Sequence, residues 1–297
     1  MELKEIKNWL KKYNIRPSRR LGQNFLIDEK VLRKIIEAAE LSKDDIVLEV
    51  GPGIGNLTAE LAKRVKKVIA IEKDQKMVEI LNELLEGWKV RNVKIVKADI
   101  LKFSPKIYNL KSKIYKVVAN IPYYLTSPLI RKFLENTGVQ PLQMVLMVQK
   151  EVAQRIVARP PDMSILAVSV QFYAKAEIIS YISKKSFWPQ PKVDSAIIKI
   201  KPLINTDKRL INADLFFKIV KAGFSQPRKQ LINNLSKNLK VDELKLISTR
   251  RSLALARVID KIKVRNWLLK NKIQPVQRAE TLNLEDWINL VKSMPRS

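Results

Sequence analysis

Between residues 46 and 148, short apolar runs alternate with stretches of helical period, a pattern that argues for a mostly parallel sheet flanked by helices. Ile46–Val50, Val68–Ile71, Val93–Lys97, Lys116–Ala119 and Gln143–Val148 read as strands, with a helix beginning near Leu57 and another over "QKMVEILNELL". A β-rich stretch over Leu166–Ile200 continues the sheet. Upstream, residues 2–12 predict a short basic helix and "NIRPSRRLGQNF" a loop. "EKVLRKIIEAA" follows as a helix with Val31, Leu32, Ile35 and Ile36 on one face. Past Pro202 the β signals fade, and "NADLFFKIVKAGF", "PRKQLINNLSKNL" and "LNLEDWINLVKSM" are helical. The expected class is α/β: a Rossmann-like domain with a mostly parallel sheet over 1–204, then a small all-α domain over 205–297. The boundary falls near 202–211.

Composition removes several chemistries. The chain has no cysteine and no histidine, so disulfides, thiolate nucleophiles, imidazole bases and Cys/His metal sites are excluded, and no metal is expected. A net charge of +28 points to a polyanionic partner, foremost nucleic acid, because released phosphate counterions would drive binding. The excess lies at both ends: seven Lys/Arg against two Glu in residues 1–26, and twenty against eight acidic residues in 204–297. No stretch approaches the roughly 20 apolar residues that span a bilayer. Ile6, Trp9 and Leu10 stand isolated among lysines rather than forming a signal-peptide core. A cytoplasmic location without a membrane partner is the expectation.

"VLEVGPGIGNLT" places Gly51, Gly53 and Gly55 directly after a strand and before a helix, where glycine lets a turn tighten and a ligand approach the backbone. The dinucleotide fingerprint would need its third glycine where Asn56 stands. E-x-G-x-G-x-G is instead typical of S-adenosylmethionine methyltransferases. Glu72 ends the next strand in "IAIEKD", where a carboxylate accepts from both ribose hydroxyls. Asp99 follows the third strand in "VKADIL", placed to accept from an adenine amino group. Singly, such acids also serve as helix caps. As an ordered trio along the carboxyl edge of one sheet, they favour a bound nucleoside. No GK[ST] element is present, so nucleotide triphosphate hydrolysis is not supported.

"NIPYY", residues 120–124, follows the fourth strand on that same edge. An (N/D)-(P/I)-P-(Y/F) tetrapeptide marks methyltransferases that act on exocyclic amino groups of bases. Such an amine is a poor nucleophile because its lone pair is delocalised into the ring. An Asn120 oxygen and a backbone carbonyl accepting its N–H groups would favour a pyramidal nitrogen, and Tyr123 offers a face on which an extruded base stacks. The methylated, cationic amine gives its proton to water, so no histidine is needed; positioning carries the catalysis. In "SFWPQPKVDSAI", Phe187 on a proline-stiffened loop is either the opposite jaw of a base sandwich or a core aromatic. Pro227 suits the first position of a helix. Arg228 and Lys229 would then sit in its first turn, where the dipole disfavours cations by about 0.3–1 kcal/mol unless phosphate is bound.

"RPSRRLGQNFLID", "VLEVGPGIGNLT", "IEKD", "ADIL", "NIPYYLTSPLI", "MVQKEVAQRIVA", "FWPQPKVDSAI", "FSQPRKQLINNL" and "RAETLNLEDW" occur together in this order. The set resembles the small-subunit (16S) rRNA adenine N6,N6-dimethyltransferases of the KsgA type, over about residues 14 to 291. The resemblance implies dimethylation of two adjacent adenines near the 3′ end of small-subunit rRNA, within the small subunit or its precursor, with S-adenosylmethionine as cofactor. It implies cofactor contacts from Gln23, Asn24 and Leu26, from Gly51 and Gly53, from Glu72 and Lys73, from Asp99 and Ile100, and from Asn120. The catalytic loop would be Asn120, Ile121, Pro122 and Tyr123, with Tyr123 and Phe187 stacking on the base. Arg19, Arg20, Arg228 and Lys229 would contact RNA, the helical domain would face RNA and ribosome, and the protein would act as a monomer. Two segments depart from the pattern: "PPDMSILAV" after Arg159, and "STRRSLALARVIDKIKVRNW". Large-subunit rRNA adenine methyltransferases that confer macrolide resistance share the "GQNF", glycine and "NIPY" elements; the "RAETLNLEDW" end favours the small-subunit enzyme. A non-catalytic assembly factor and a DNA adenine methyltransferase are more distant readings.

Overall fold

The computed structural model describes residues 1–18, 22–108, 110, 114–135, 139–203, 211–239 and 253–294. In chain order, α1 (Leu3–Lys12), β1 (Phe25–Leu26), α2 (Glu29–Ala39), β2 (Ile46–Val50) and α3 (Asn56–Ala62) come first. They are followed by β3 (Lys67–Glu72), α4 (Gln75–Gly87), β4 (Val93–Lys97), β5 (Tyr115–Asn120), α5 (Thr126–Glu135) and β6 (Gln143–Gln149). Next come α6 (Lys150–Val157), α7 (Ile165–Tyr173), β7 (Ala174–Ile182), β8 (Phe187–Trp188) and β9 (Ser195–Pro202). The rest is helical: α8 (Ala213–Gly223), α9 (Leu231–Asn238), α10 (Leu253–Lys270) and α11 (Leu284–Lys292).

The chain divides into two compact units, Met1–Gln154 with Tyr173–Pro202, and Arg155–Phe172 with Leu203–Ser297. Residues 155–172, grouped by sequence with 1–204, therefore go with the helical unit. The first unit holds a seven-stranded sheet in the order β4-β3-β2-β5-β6-β9-β7. Strands β2 to β6 run parallel, whereas β9 is antiparallel to β6 and β7. Covered on both faces, the central strands are apolar at most positions. Val47, Val68, Val118, Val145 and Ile197 accordingly share one buried cluster with Ile35 and Leu61 of the covering helices.

Two lysines enter this sheet without a cost in unpaired charge. Lys116, on β5, donates its Nζ to the Glu40 carbonyl at 2.5 Å and to Asp45 Oδ2 at 2.8 Å. Lys199, on β9, pairs with Glu40 Oε1 at 2.6 Å. Helix α2 has no basic residue in its last turn. The two sheet lysines supply the positive charge that a helix C-terminus favours, and Lys199 holds the Glu40 carboxyl below its usual range.

Three local expectations change. Ile165–Tyr173 is a helix rather than the start of a β-rich stretch. "ILAVSVQFY" is apolar on nearly every side, and such a run carries no period that separates helix from strand. Its fate is decided by packing: Phe172 stacks on Phe216 of α8 with ring centroids 4.2 Å apart. Second, Phe25–Leu26 leaves the loop state by pairing antiparallel with Phe187–Trp188, so both segments become short strands. Third, Pro227 lies in a turn, and α9 begins only at Leu231 with Gln230 as its N-cap. Arg228 and Lys229 therefore precede the helix, the Lys229 N–H closing the turn on the Gln226 carbonyl at 2.9 Å.

In the helical unit, α8 ends at Gly223 against the buried ring of Trp287. A Cβ on Gly223 would collide with that indole and lie 3.1 Å from Leu231 Cδ1. Gly223→Ala should therefore destabilise the protein by about 1–3 kcal/mol, as overpacking does. The urea-unfolding midpoint checks this; an unchanged midpoint would refute the close approach.

Candidate active site

Strand β2 lies between β3 and β5, so the chain leaves its carboxyl end in one direction toward β3 and returns on the other side at β5. Open α/β sheets bind ligands in the crevice at such a reversal. A cavity of about 500 Å³ occupies this position. Gln23, Asn24, Leu26, Gly51, Gly53, Glu72, Lys73, Asp99, Ile100, Asn120, Ile121, Pro122, Tyr123 and Phe187 all line it. Arg19 and Arg20 lie outside the described residues, and Arg228 and Lys229 belong to the helical unit.

The glycine turn builds one wall. Gly51, Gly53 and Gly55 take φ of +67°, +57° and +83°, a region that side chains rarely enter. The turn is fastened to β3: Gly51 N–H donates to the Ile71 carbonyl at 3.0 Å, and Gly53 N–H to Glu72 Oε2 at 3.3 Å. Glu72 Oε1 accepts from the N–H groups of Lys73 (2.7 Å) and Asp74 (2.8 Å). Burial still pushes the Glu72 carboxyl up, with these three donors opposing it.

Glu49 is the residue that sequence reading passed over, although it stands inside the glycine motif. It is 1% exposed on β2 and lines the cavity, and its Oε2 has no hydrogen-bond partner. Burial pushes its pKa up to about 8, tempered only in part by the neighbouring Thr58 hydroxyl, which itself completes no hydrogen bond. Asn56 also lines the cavity; its Nδ2 donates to the Leu26 carbonyl at 2.8 Å while its buried Oδ1 is unpartnered. One signal for Glu49 was available: a lone glutamate in the apolar run "IVLEV" is costly to bury unless a partner arrives.

Asp99 and Lys73 reach the cavity as a pair rather than separately. Lys73 Nζ donates to Asp99 Oδ2 at 2.9 Å, and the Leu101 N–H to Oδ1 at 2.9 Å. The ammonium holds the Asp99 carboxyl below its usual range. With the lysine side chain 66% exposed, this contact is screened by solvent and exchanges easily.

The opposite wall is the loop after β5. Asn120 Nδ2 donates to the Asn24 carbonyl at 3.3 Å, which leaves its Oδ1 as an acceptor. Gly22, at φ +63°, lets the preceding loop approach so closely that a Cβ there would meet Pro122 Cβ at 3.1 Å. Tyr123–Leu125 form a 3₁₀ turn, closed by the Leu125 N–H on the Pro122 carbonyl at 2.9 Å. The Tyr123 hydroxyl lies 2.8 Å from Ser195 Oγ. Phe187 is not on a loop but in β8, 3% exposed and part of the main core cluster, so it forms a cavity wall from behind.

Among the described residues, Glu49, Glu72, Asp74 and Asp99 face this cavity with Lys73 as the one basic side chain. A chain of net charge +28 thus presents an acidic pocket, which suits a cationic ligand.

Residues 14–291 match the family described as ribosomal RNA adenine dimethylase. A Dehalococcoides mccartyi protein named ribosomal RNA small subunit methyltransferase A is 40% identical over 286 residues, covering 96% of this chain and 91% of its own. Among solved structures, a dimethyladenosine transferase from Plasmodium falciparum superposes with a TM-score of 0.74 at 29% identity, covering 90% of this chain and 95% of its own. The 23S rRNA methyltransferase ErmE gives 0.67 at 26% identity, covering 91% and 99%. No described helix is long and apolar enough to cross a membrane.

A carboxyl whose folded-state pKa exceeds its unfolded value binds more protons when folded. Its contribution to stability is therefore complete below about 4.5 and lost as pH rises through about 8. For Glu49→Gln we expect the ligand-free protein to lose less thermal stability between pH 5 and 8 than the wild type does. Parallel pH profiles of the two proteins would rule out a buried, unpartnered carboxyl.

Proposed function

The chain belongs to the ribosomal RNA adenine dimethylase family, and on that premise we propose that it dimethylates the N6 amino groups of two adjacent adenines near the 3′ end of small-subunit rRNA, using S-adenosylmethionine. Its substrate is the small ribosomal subunit or a precursor of it, and it acts in the cytoplasm as a monomer. The name of the Dehalococcoides mccartyi relative supports the small subunit over the large one. One observation carries the reading: the Asn120–Tyr123 loop opens into the same cavity as the glycine turn, Glu72 and Asp99.

The cavity fits the cofactor on its own chemistry. Two buried acceptors, Glu49 Oε2 and Asn56 Oδ1, lack partners there, and a cationic amine would relieve both. Glu72 is held by three backbone N–H groups and keeps lone pairs for the ribose hydroxyls. Asp99 would accept from the adenine amino group, its Oδ2 being held now only by the exposed Lys73 ammonium. Gln23, Asn24, Leu26, Gly51, Gly53, Lys73 and Ile100 complete the enclosure. S-adenosylmethionine, when bound, supplies an electrophilic methyl group on a positively charged sulfur.

Asn120 Oδ1 and a backbone carbonyl of the loop accept from the target N–H groups, turning the nitrogen lone pair out of the ring plane. Tyr123 provides the stacking face, with Phe187 as the wall behind. Pro122 stiffens the loop, and Ile121, 2% exposed, pins it to the core. No histidine stands by, and none is required, because the methylated amine releases its proton to water. In the helical unit, Arg228 and Lys229 are exposed in the turn before α9 and contact RNA phosphates; Arg19 and Arg20 do so from the N-terminal segment.

The direct test incubates purified protein and labelled S-adenosylmethionine with small subunits lacking the modification, and with unmodified large subunits in parallel. N6,N6-dimethyladenosine in small-subunit rRNA alone is the expected product; label confined to the large subunit would overturn the substrate assignment. Asn120→Ala should cut turnover at least about a hundredfold, the scale of losing one transition-state hydrogen bond, while calorimetry shows cofactor still bound. Asp99→Ala should instead weaken that binding. Replacing Arg228 and Lys229 by Ala should lower the slope of log affinity against log salt for RNA by about 0.7–0.9 per lost phosphate contact; an unchanged slope would take them out of the interface.

A further inference from the structure

Tyr123 would serve as a stacking surface only if its ring held one orientation, and the loop that carries it does little to ensure that. The turn spans three residues and rests on two backbone bonds, from the Leu125 N–H to the Pro122 carbonyl at 2.9 Å and from the Thr126 N–H to the Tyr123 carbonyl, neither of which holds the ring. The tether comes from elsewhere in the sheet. Ser195 Oγ lies 2.8 Å from the Tyr123 hydroxyl across 72 residues of sequence. Among the described residues, that hydroxyl is the one hydrogen-bond partner of Ser195 Oγ.

Ser195 is a rigid anchor. It is 0% exposed, begins β9, and is paired in register with Gln149 on one side and Ile182 on the other. The preceding residue fastens the strand end twice more. The Asp194 carbonyl accepts from the Lys150 N–H at 3.0 Å, and its Oδ1 from the Lys184 N–H at 3.0 Å. Strand β9 continues as "AIIKIKP", so a hydroxyl at its buried first position is out of keeping with simple core packing. Its place is explained by the loop it touches.

We propose that Ser195 is a positioning residue for methyl transfer: held in β9, its Oγ fixes the Tyr123 hydroxyl and so sets the angle at which the Tyr123 ring meets the target base. The proposal rests on Tyr123 being that stacking face. Burial pushes the tyrosine hydroxyl up from its ordinary value, so it stays protonated and either hydroxyl can donate to the other. The pairing also accounts for a tyrosine where a phenylalanine would stack equally well: the oxygen is there to be held. A ring tethered at its far end loses torsional freedom before the base arrives, which lowers the ordering cost in the reacting complex.

A double-mutant cycle tests this on small ribosomal subunits lacking the modification, with saturating S-adenosylmethionine. Ser195→Ala and Tyr123→Phe should each lower kcat by about tenfold, the effect of 1.4 kcal/mol on a barrier. The KM for subunits and the calorimetric cofactor affinity should stay within about twofold. The double variant should be no slower than either single one, because both remove the same contact. Additive losses, or a wild-type kcat in Ser195→Ala, would overturn the proposal. Tyr123→Ala separates the two levels of inference: wild-type activity there would remove the tyrosine from the chemistry, and Ser195 with it. A severe loss in Tyr123→Ala combined with additive single effects would sink the positioning role alone.

Discussion

Everything at the cavity depends on the parallel pairing of β2 with β5. Register matches Ile46 to Tyr115 and Glu49 to Val118, so the two strands end within one residue of each other. The glycine turn that leaves β2 and the Asn120 loop that leaves β5 therefore open side by side. Asn120 itself still pairs with Met147 of β6, which sets the height of the loop above the sheet. A one-residue slip in either pairing would send alternate side chains to the other face and carry Asn120 away from the glycines. The pairing is reinforced by burial: both strands are mostly apolar and covered on two faces, and the buried Lys116 of β5 is held by the Glu40 carbonyl and Asp45.

Electrostatics at the site run against the charge of the molecule as a whole. A net charge of +28 favours a polyanion and repels a small cation at long range. The cavity answers locally, with four carboxyl groups and, among the described residues, one ammonium in its wall. These carboxyl groups are not equivalent. Glu72 is desolvated but receives three backbone N–H groups, whereas Glu49 is desolvated with one oxygen unanswered. The first is a finished hydrogen-bond arrangement that can add a ligand; the second is an unfinished one that a cationic ligand completes. Screening reconciles the two scales, since surface charge fades over a Debye length of about 8 Å at physiological salt while buried contacts do not.

The loop after β5 is held from both flanks as well as by its own backbone bonds. The segment before β1 packs on it through Gly22 and Pro122, and the Asn24 carbonyl takes the Asn120 amide. From the other flank, β9 reaches Tyr123 through Ser195. Neither flank is near the loop in sequence. Short strands β1 and β8 tie the flanks to one another, with Phe25 opposite Trp188 and Leu26 opposite Phe187. Helix α1 stiffens the same corner by packing Ile6 and Leu10 on Phe25, Ile54 and Met77, and by the pair of Lys12 with Glu83.

Local pattern was enough for much of this. Alternating strand and helix signals specify the sheet class, because a parallel strand cannot follow its neighbour without a crossover. The three glycines mark the turn that needs left-handed backbone. Acidic residues at successive strand ends foretell the ligand edge, since the rule that places ligands there is topological. What sequence could not supply was anything decided by contact between distant segments. "ILAVSVQFY" is a helix whose Phe172 stacks on Phe216, and Pro227 lies in a turn, with the Leu231 N–H at the start of α9 donating to the distant Gln277 carbonyl at 2.7 Å. Glu49 is unusual for one oxygen left without a partner, and Ser195 for the presence of one, 72 residues away. Spacing along the chain records which residues share an element. Which atoms meet across elements, and which buried group is left without a partner, is settled only when the packed structure excludes water.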